Sequence, residues 1–170
     1  MAFQVDCVVK GADVLGECPL WCDREQMLWW VDSRGPALKR WDPAGSEVHV
    51  IDLPGVVGSF AFRERSGMLA ALQSGIHFLD TKTGQLSIAA QPEARLPENR
   101  FNDGRCDRAG RLWAGPMSDA RREPTGSLSR LAGAPAFTRA RGVGTMANSL
   151  RRAPRHRPHS PARTHTHACR

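Results

Sequence analysis

The stretch DREQMLWWVDSRGPALKRWDPAG, residues 23–45, contains one complete unit of a repeated strand pattern. A polar turn runs into a short apolar strand, Met27–Val31, and a second turn at Gly and Pro leads into a strand that ends near Trp41. The same order of turn, strand, turn and strand returns in RERSGMLAALQSGIHFLDTKTG, residues 63–84, and in DRAGRLWAGPMSDARREPTGSLSRLAG, residues 107–133. No 3.6-residue apolar period accompanies these segments, so we predict an all-β chain.

The repeats follow one another at a nearly constant distance. The first strand is Met68–Leu72 in the second repeat and Arg111–Ala114 in the third. Leu28 and Leu69 are 41 residues apart, and Leu69 and Leu112 are 43 residues apart. A period in the forties, with two or more strands in each unit, is typical of a β-propeller blade. A β-sandwich built from hairpins is the alternative, and the regular period favours the propeller.

The two ends of the chain differ from these repeats. The segment FQVDCVVK, residues 3–10, alternates apolar and polar residues, which predicts a half-buried strand that completes a last blade. Residues 1–150 would then form about three blades, fewer than the roughly four to eight that close a ring. After Leu150 the sequence turns to Arg, Pro and His, a composition that cannot offset its chain entropy by burial. We therefore predict a disordered tail over 151–170, and the abrupt change suggests a frameshift that replaces the later blades.

The charge of the chain is unevenly distributed. Its net charge is +7, but all 17 acids lie at or before Glu123 and nine Arg follow that residue, so residues 1–123 carry −2. The basic end has no aromatic residue after Phe137 and no predicted fold to place its arginines, so we expect neither a nucleic-acid partner nor a membrane partner. No apolar run of about 18 residues and no signal-like segment occurs, which leads us to expect a cytoplasmic protein.

The five cysteines are an odd number at irregular spacings, which argues against a disulfide framework. Cys18 and Cys22 have a spacing that could contribute to a zinc site, but the sequence contains no second close pair. Buried, reduced thiols are therefore the favoured interpretation.

Several motifs together resemble one protein family. They are LGECPLW (15–21), LWWVD (28–32), RWDP (40–43), PENRFNDGRCDRAGRLWAG (97–115) and ANSL (147–150). In order and spacing they resemble the SMP-30/gluconolactonase/regucalcin-like family over about residues 13–150. The resemblance implies a six-bladed β-propeller, of which this chain spans the first half. It also implies the activity of the family's lactone hydrolases, which hold one divalent metal ion at the central channel.

The resemblance also implies roles for individual residues. It makes Glu17 and Asn148 metal ligands, although the usual Asn-Gly-Leu of the family is Asn-Ser-Leu here. It makes Arg100 and Asn102 substrate-binding residues. The third metal ligand of the family is an Asp that is also proposed as the general base. That Asp comes from a later blade, beyond Arg170, so no catalytic residue of this chain is assigned.

Two further acids accompany this pocket. The family has a carboxylate just after a Gly-x-Met turn, and here Asp119 precedes by one position the Ala120 that would replace it. Asp103 lies in Asn102-Asp103-Gly104, three residues that favour a β-turn, so we expect it to brace a turn rather than contact substrate.

These residues suit one kind of chemistry. Carboxylate and amide oxygens are ligands for Ca²⁺, Mg²⁺ or Mn²⁺, with Zn²⁺ also possible, and such an ion polarises a lactone carbonyl. Arg100 and Asn102 offer the donors and acceptors that a polyhydroxylated substrate needs. We expect a metal-dependent sugar-lactone hydrolase fragment, weakly active or inactive by itself. The alternative is a non-catalytic propeller module that binds a divalent metal or another ligand, and the sequence leaves the oligomeric state open.

Overall fold

The computed structural model describes residues 3–119, 125–132 and 136–141. Asn148 and the predicted tail lie outside these residues. Within them the chain forms β-strands and no helix, so none of them could cross a membrane as an apolar helix. The strands are β1 Gly16–Cys22, β2 Met27–Asp32, β3 Ala37–Trp41, β4 Val48–Asp52, β5 Val57–Phe62, β6 Met68–Leu72, β7 Gly75–Leu79, β8 Leu86–Ala90, β9 Asn99–Cys106, β10 Leu112–Ser118, β11 Ser127–Ala132 and β12 Ala136–Arg141.

The strands form three antiparallel sheets of four strands each. Sheet 1 contains β1 to β4, sheet 2 contains β5 to β8 and sheet 3 contains β9 to β12, with each strand paired to its neighbours in sequence. The sheets pack in succession, because β5 contacts both β1 and β9. The all-β prediction is confirmed. Three sheets in a row form a propeller-like arrangement and not the two facing sheets of the sandwich alternative.

Equivalent turns recur in each sheet and explain the sequence repeat. The turn between the first and second strands contains a residue with positive φ in every sheet, namely Gln26 (54°), Gly67 (68°) and Gly110 (72°). In the turn after the third strand, the backbone N–H of Ser46 or Gly84 donates to the Asp carbonyl that opens the turn, at 2.8 Å in both sheets 1 and 2. The polar turn residues therefore set a common strand length and a common hairpin geometry.

The prediction of a strand over residues 3–10 is wrong. These residues form no strand, and Phe3 and Val5 are exposed by 95% and 90%. A strand needs a neighbour to accept and donate its backbone hydrogen bonds, and no described strand lies alongside this segment. Alternation alone therefore does not fix the conformation here.

The core consists of two apolar layers, one on each side of sheet 2. Met68, Ala70 and Leu72 of β6 pack toward sheet 1, while Leu69 and Ala71 pack toward sheet 3. All five residues of β6 are buried, because both faces of its sheet are covered. A strand covered on both faces is apolar throughout instead of alternating.

Sheets 2 and 3 approach each other backbone to backbone. A Cβ atom at Gly58 of β5 would lie 2.1 Å from the carbonyl oxygen of Asn102 in β9. A Cβ atom at Gly104 would lie 2.6 Å from Oγ of Ser59. These two glycines therefore permit an inter-sheet distance that a larger residue would forbid.

A buried carboxylate fixes the start of β1 to the end of β2. Asp32 accepts backbone N–H bonds from Val14 at 3.0 Å, Leu15 at 3.0 Å and Gly35 at 2.9 Å, and Lys39 Nζ lies 3.6 Å away. Burial by itself would raise the pKa of Asp32, but these donors and the ammonium together lower it to about 2.

This carboxylate makes the stability depend on acid pH. Since its pKa is lowered in the folded state, its contribution is present above the unfolded pKa of 3.8 and is lost as the pH falls toward 2. We expect the loss to be on the order of 2 kcal/mol. Urea unfolding between pH 5 and pH 2 would measure it. Asp32→Asn should be less stable at pH 5 and should lose less on acidification, whereas the exposed Asp52→Asn should follow the parent. An equal pH dependence in Asp32→Asn and the parent would contradict this role.

The close approach of β5 and β9 gives a second prediction. Gly58→Ala should lower the free energy of unfolding by about 1–3 kcal/mol, because the new methyl group overlaps the Asn102 carbonyl. Chemical denaturation would measure the change. Gly55→Ala is the matched control, since a Cβ atom there meets nothing within 4 Å. Equal stability of the two variants would show that the sheets separate freely.

Candidate functional site

The predicted functional residues within the described part of the chain lie at one end of the sheets, which we call the site end. Strands β1, β5 and β9 begin there, and β2, β6 and β10 end there, because sequential strands are antiparallel. Glu17 is the second residue of β1, and Arg100 is the second residue of β9. Arg34, in the turn after β2, and Asp119, directly after β10, belong to the same end.

Arg100 is a buried guanidinium with fixed partners, only 6% exposed. Its Nε donates to Asp119 Oδ1 at 2.9 Å, and its Nη1 donates to the Phe101 carbonyl at 3.1 Å. Its Nη2 makes no hydrogen bond with the described residues. This edge of the guanidinium therefore keeps N–H donors that a ligand can use.

Asn102 is oriented by Arg100. Its Oδ1 accepts a hydrogen bond from Arg100 Nη1 at 3.2 Å. With Oδ1 engaged, the Nδ2 amide group is left to donate elsewhere. The structure thus brings together the two residues that the sequence predicted to share a pocket, and their role toward substrate stays a prediction.

The predicted turn at Asn102-Asp103-Gly104 is wrong, because these residues lie inside strand β9. The pairing of β9 with β10 shifts register between Gly104 and Phe101, so the segment forms a β-bulge. Asp103 stabilises the bulge, since its Oδ1 accepts the N–H of Gly104 at 2.8 Å. The chain turns only later, at residues 107–111. A bulge re-aims neighbouring side chains, which explains its presence beside Arg100.

Asp119 is shared by two arginines. Besides Arg100, it binds Arg34 through two parallel hydrogen bonds, from Nη2 to Oδ1 at 2.6 Å and from Nη1 to Oδ2 at 3.0 Å. The bonds from Arg34 and then from Arg100 hold the pKa of Asp119 below its usual value. The carboxylate is therefore ionised at neutral pH and links sheet 1 to sheet 3.

Glu17 lies within electrostatic reach of this cluster. It is half-buried at the start of β1, where the pairing with β2 is irregular and Cys18 has a positive φ of 55°. Its carboxylate makes no hydrogen bond or ion pair with the described residues. The pKa of Arg34 is raised mainly by Asp119 and further by the negative charge of Glu17.

A half-buried carboxylate without a protein partner suits a hard divalent cation. Glu17 therefore fits the metal that the resemblance implies, as one ligand of a set. Among the described residues no group of three or more His, Cys, Asp or Glu is placed to hold a metal ion. The other predicted ligand of this chain, Asn148, lies outside them.

The zinc alternative for Cys18 and Cys22 finds no support. Both are free thiols, and Cys22 lies in the apolar layer between sheets 1 and 2. Burial raises the pKa of the Cys18 thiol, while zinc binds the thiolate form. The prediction of buried thiols holds for Cys22, whereas Cys18 and Cys106 are partly buried and Cys7 is exposed.

A cleft of about 460 Å³ opens at the site end beside Arg100. Its lining comes from the segments before β5, between β6 and β7, and before β9, and includes Ser74, Gln91 and Asn99. Its volume is within the range of small-molecule pockets. Glu17, Asn102 and Asp119 do not line it, so the cleft adjoins the charged cluster and does not contain it.

Comparison with known proteins agrees with this arrangement. Residues 15–157 match the family described as the SMP-30/Gluconolactonase/LRE-like region. The chain belongs to this family.

Members of the SMP-30/gluconolactonase family show how much of the fold is present. A 6-deoxy-6-sulfogluconolactonase of Pseudomonas putida is 44% identical over 127 residues, which are 74% of this chain and 43% of that protein. Regucalcin of Xenopus laevis is 33% identical, over 69% of this chain and 39% of its own. The crystal structure of a calcium-binding regucalcin from Agrobacterium tumefaciens superposes with a TM-score of 0.72 at 30% identity, over 78% of this chain and 44% of that one. The chain spans about two fifths of the length of these curated relatives.

The structure shows the contacts of Asp119, which the family motif left open, and adds Arg34 to the site. Asp119 contacts Arg100 although it is displaced by one position from the family's carboxylate. Arg34 lies 85 residues from Asp119 in the sequence. A single Arg in a turn is usually a solvated residue, so no sequence signal could have placed it here.

Asp119 should control the mobility of Arg100. We expect Asp119→Ala to speed exchange of the Arg100 Nε–H with water, because that proton loses its acceptor. Side-chain ¹⁵N–¹H spectra would show the signal weaken. Asp107→Ala is the control, since Asp107 accepts from Arg111 Nε at 2.6 Å, and it should affect the Arg111 signal instead. An unchanged Arg100 signal in Asp119→Ala would contradict the fixed geometry.

Proposed function

We propose that this chain carries part of the site of a metal-dependent sugar-lactone hydrolase. The observation that carries the proposal is the cluster at the site end. There hydrogen bonds hold Arg100, Asn102 and Asp119 together, and the Glu17 carboxylate, which has no hydrogen bond or ion pair with the described residues, acts electrostatically on Arg34. The family membership supports this proposal, because relatives of the chain are named lactonases.

The residues divide the work by their chemistry. Glu17, with Asn148, would hold the divalent ion, and such an ion supplies polarisation of the lactone carbonyl. The free edge of Arg100 and the Nδ2 group of Asn102 would donate to sugar oxygens and so orient the ring. Asp119 keeps Arg100 in place through the Nε bond. In the overall reaction, water adds to the carbonyl carbon, the ring C–O bond breaks and a hydroxy acid forms.

We interpret the three sheets as about three blades of a six-bladed ring. We assign one acid of the described residues, Glu17, to the metal, and fewer anionic oxygens mean weaker binding of a hard cation. We therefore expect weak or no turnover by the chain alone. Calcium, zinc, magnesium and manganese remain the candidate ions.

A non-catalytic module that binds a divalent metal or another ligand is the second candidate. It is favoured because, among the residues described, no group of three or more His, Cys, Asp or Glu is placed to hold a metal ion that could activate water. A chelator separates the two candidates. It should abolish lactone turnover by a hydrolase, whereas a binding module has no turnover to lose.

Substrate class and location complete the proposal. We expect sugar lactones as substrates, and the relative from Pseudomonas putida carries a name that specifies a sulfonated gluconolactone. The free thiols of Cys7, Cys18, Cys22 and Cys106 support a reducing, cytoplasmic setting.

Glu17 gives the direct test of the metal assignment. Glu17→Gln should weaken binding of Ca²⁺ or Mn²⁺ at least about tenfold, because a neutral amide replaces the carboxylate. Titration calorimetry would measure the dissociation constants, and a pH-stat assay with D-glucono-1,5-lactone would follow any turnover. If the parent turns the lactone over, the rate should be lower in Glu17→Gln, in step with its weaker metal binding.

Glu64→Gln is the matched control. Glu64 is an exposed acid in the turn between β5 and β6, at the opposite end of the sheets. The Glu64→Gln variant should bind metal as tightly as the parent does. Equal affinity of the Glu17→Gln variant and the parent would remove Glu17 from the metal site.

A further inference from the structure

Arg34 lies at the site end, but the proposed function gives it no role. It projects from the turn after β2, its side chain is 41% exposed, and it reaches from sheet 1 to Asp119 beside sheet 3. The contact is a bidentate pair, with both hydrogen bonds at 3.0 Å or less. Such a pair fixes the plane of the guanidinium as well as its position.

The guanidinium of Arg34 keeps donors for a ligand. A guanidinium has five N–H groups, and the pair with Asp119 uses two of them. Its remaining groups have no hydrogen-bond partner among the described residues. Arg100 likewise keeps its Nη2 edge, so two oriented guanidinium groups offer donors on either side of one carboxylate.

Positive charge exceeds negative charge around Asp119. Arg34 and Arg100 share this single carboxylate. The other acid that acts on Arg34 is Glu17, and a divalent cation bound there would neutralise that carboxylate. With Glu17 engaged in this way, the cluster has a surplus of positive charge. A half-exposed, pre-oriented guanidinium in a positive field is suited to a planar or tetrahedral oxyanion.

We propose that Arg34 is a specificity-determining residue that selects lactones carrying an acidic substituent. The substituent is a sulfonate or phosphate on the part of the sugar remote from the lactone carbonyl. Arg34 binds its oxygens, while Arg100 and Asn102 bind the ring. This inference rests on the proposed function, because it requires a lactone at the site end.

A purely structural role for Arg34 predicts different results. If the residue only ties sheet 1 to sheet 3, its loss lowers stability and weakens all ligands equally. Arg24 provides the comparison. It also crosses between sheets, donating to the backbone carbonyls of Glu64 and Arg63, but at the end remote from the site.

The experiment compares a neutral and an acidic form of one hydrolysis-resistant analogue. The probes are D-glucono-1,5-lactam and its 6-deoxy-6-sulfo and 6-phospho derivatives, titrated calorimetrically into the full chain with Mn²⁺ present. We expect at least one acidic lactam to bind tenfold or more tightly than the neutral lactam. The order of the two acidic lactams tells which oxyanion the site accepts. The preference should decrease as the salt concentration rises, since it is electrostatic.

Arg34→Gln should remove this preference, weakening the acidic lactams tenfold or more beyond any change for the neutral lactam. Arg34→Lys should keep part of it, because the charge remains but the bidentate geometry is lost. Arg24→Gln should retain the full preference. Denaturant unfolding of each variant reports on folding independently of ligand.

Three results would overturn the inference. Equal affinity of the parent for neutral and acidic lactams would show that the site does not select an oxyanion. Equal weakening of all lactams in Arg34→Gln would assign the residue a structural role. Failure of every lactam to bind would overturn the proposed function itself, and this inference with it.

Discussion

The backbone contact between Gly58 of β5 and the Asn102 carbonyl of β9 sets the distance between sheets 2 and 3. No side chain separates the two strands at this point, since a Cβ atom on Gly58 would overlap that carbonyl. Asn102 is also the residue whose side chain accepts a hydrogen bond from Arg100. The contact that fixes the spacing of β5 and β9 therefore also fixes the position of Asn102 in the site. The bulge in β9 lies at this contact.

The second organising element is the burial of Arg100. A buried charge is costly unless it is paired and hydrogen-bonded, and Asp119 supplies that pair. The same carboxylate binds Arg34 of sheet 1, so Arg34 and the buried Arg100 both depend on Asp119 for their counter-charge. This sharing ties the electrostatics of the site to the relative positions of sheets 1 and 3.

Much of the strand pattern could be predicted from the sequence. The segments around Met27, Met68 and Leu112 are strands as expected, because short apolar runs bounded by polar turns carry a strong local signal. Trp29 is a core residue, whereas the adjacent Trp30 is only half-buried and donates to Asp13. The failures occurred where local signals were ambiguous. Phe3–Lys10 alternates like a strand but lacks a neighbour, and the residues around Asp103 favour a turn but form a bulge between paired strands.

The order of amino acids was enough to predict the all-β class, the repeat, the family and the place of Arg100 and Asn102 in one motif. These features depend on residues close together in the chain, where alternation, turn residues and spacing act directly. The hydrogen bonds of Asp119 with Arg100 and Arg34, and the electrostatic effect of Glu17 on Arg34, became evident only from the folded chain. The pair of Arg34 and Asp119 joins sheet 1 to sheet 3, and its geometry follows from how the sheets pack, which no local sequence preference encodes.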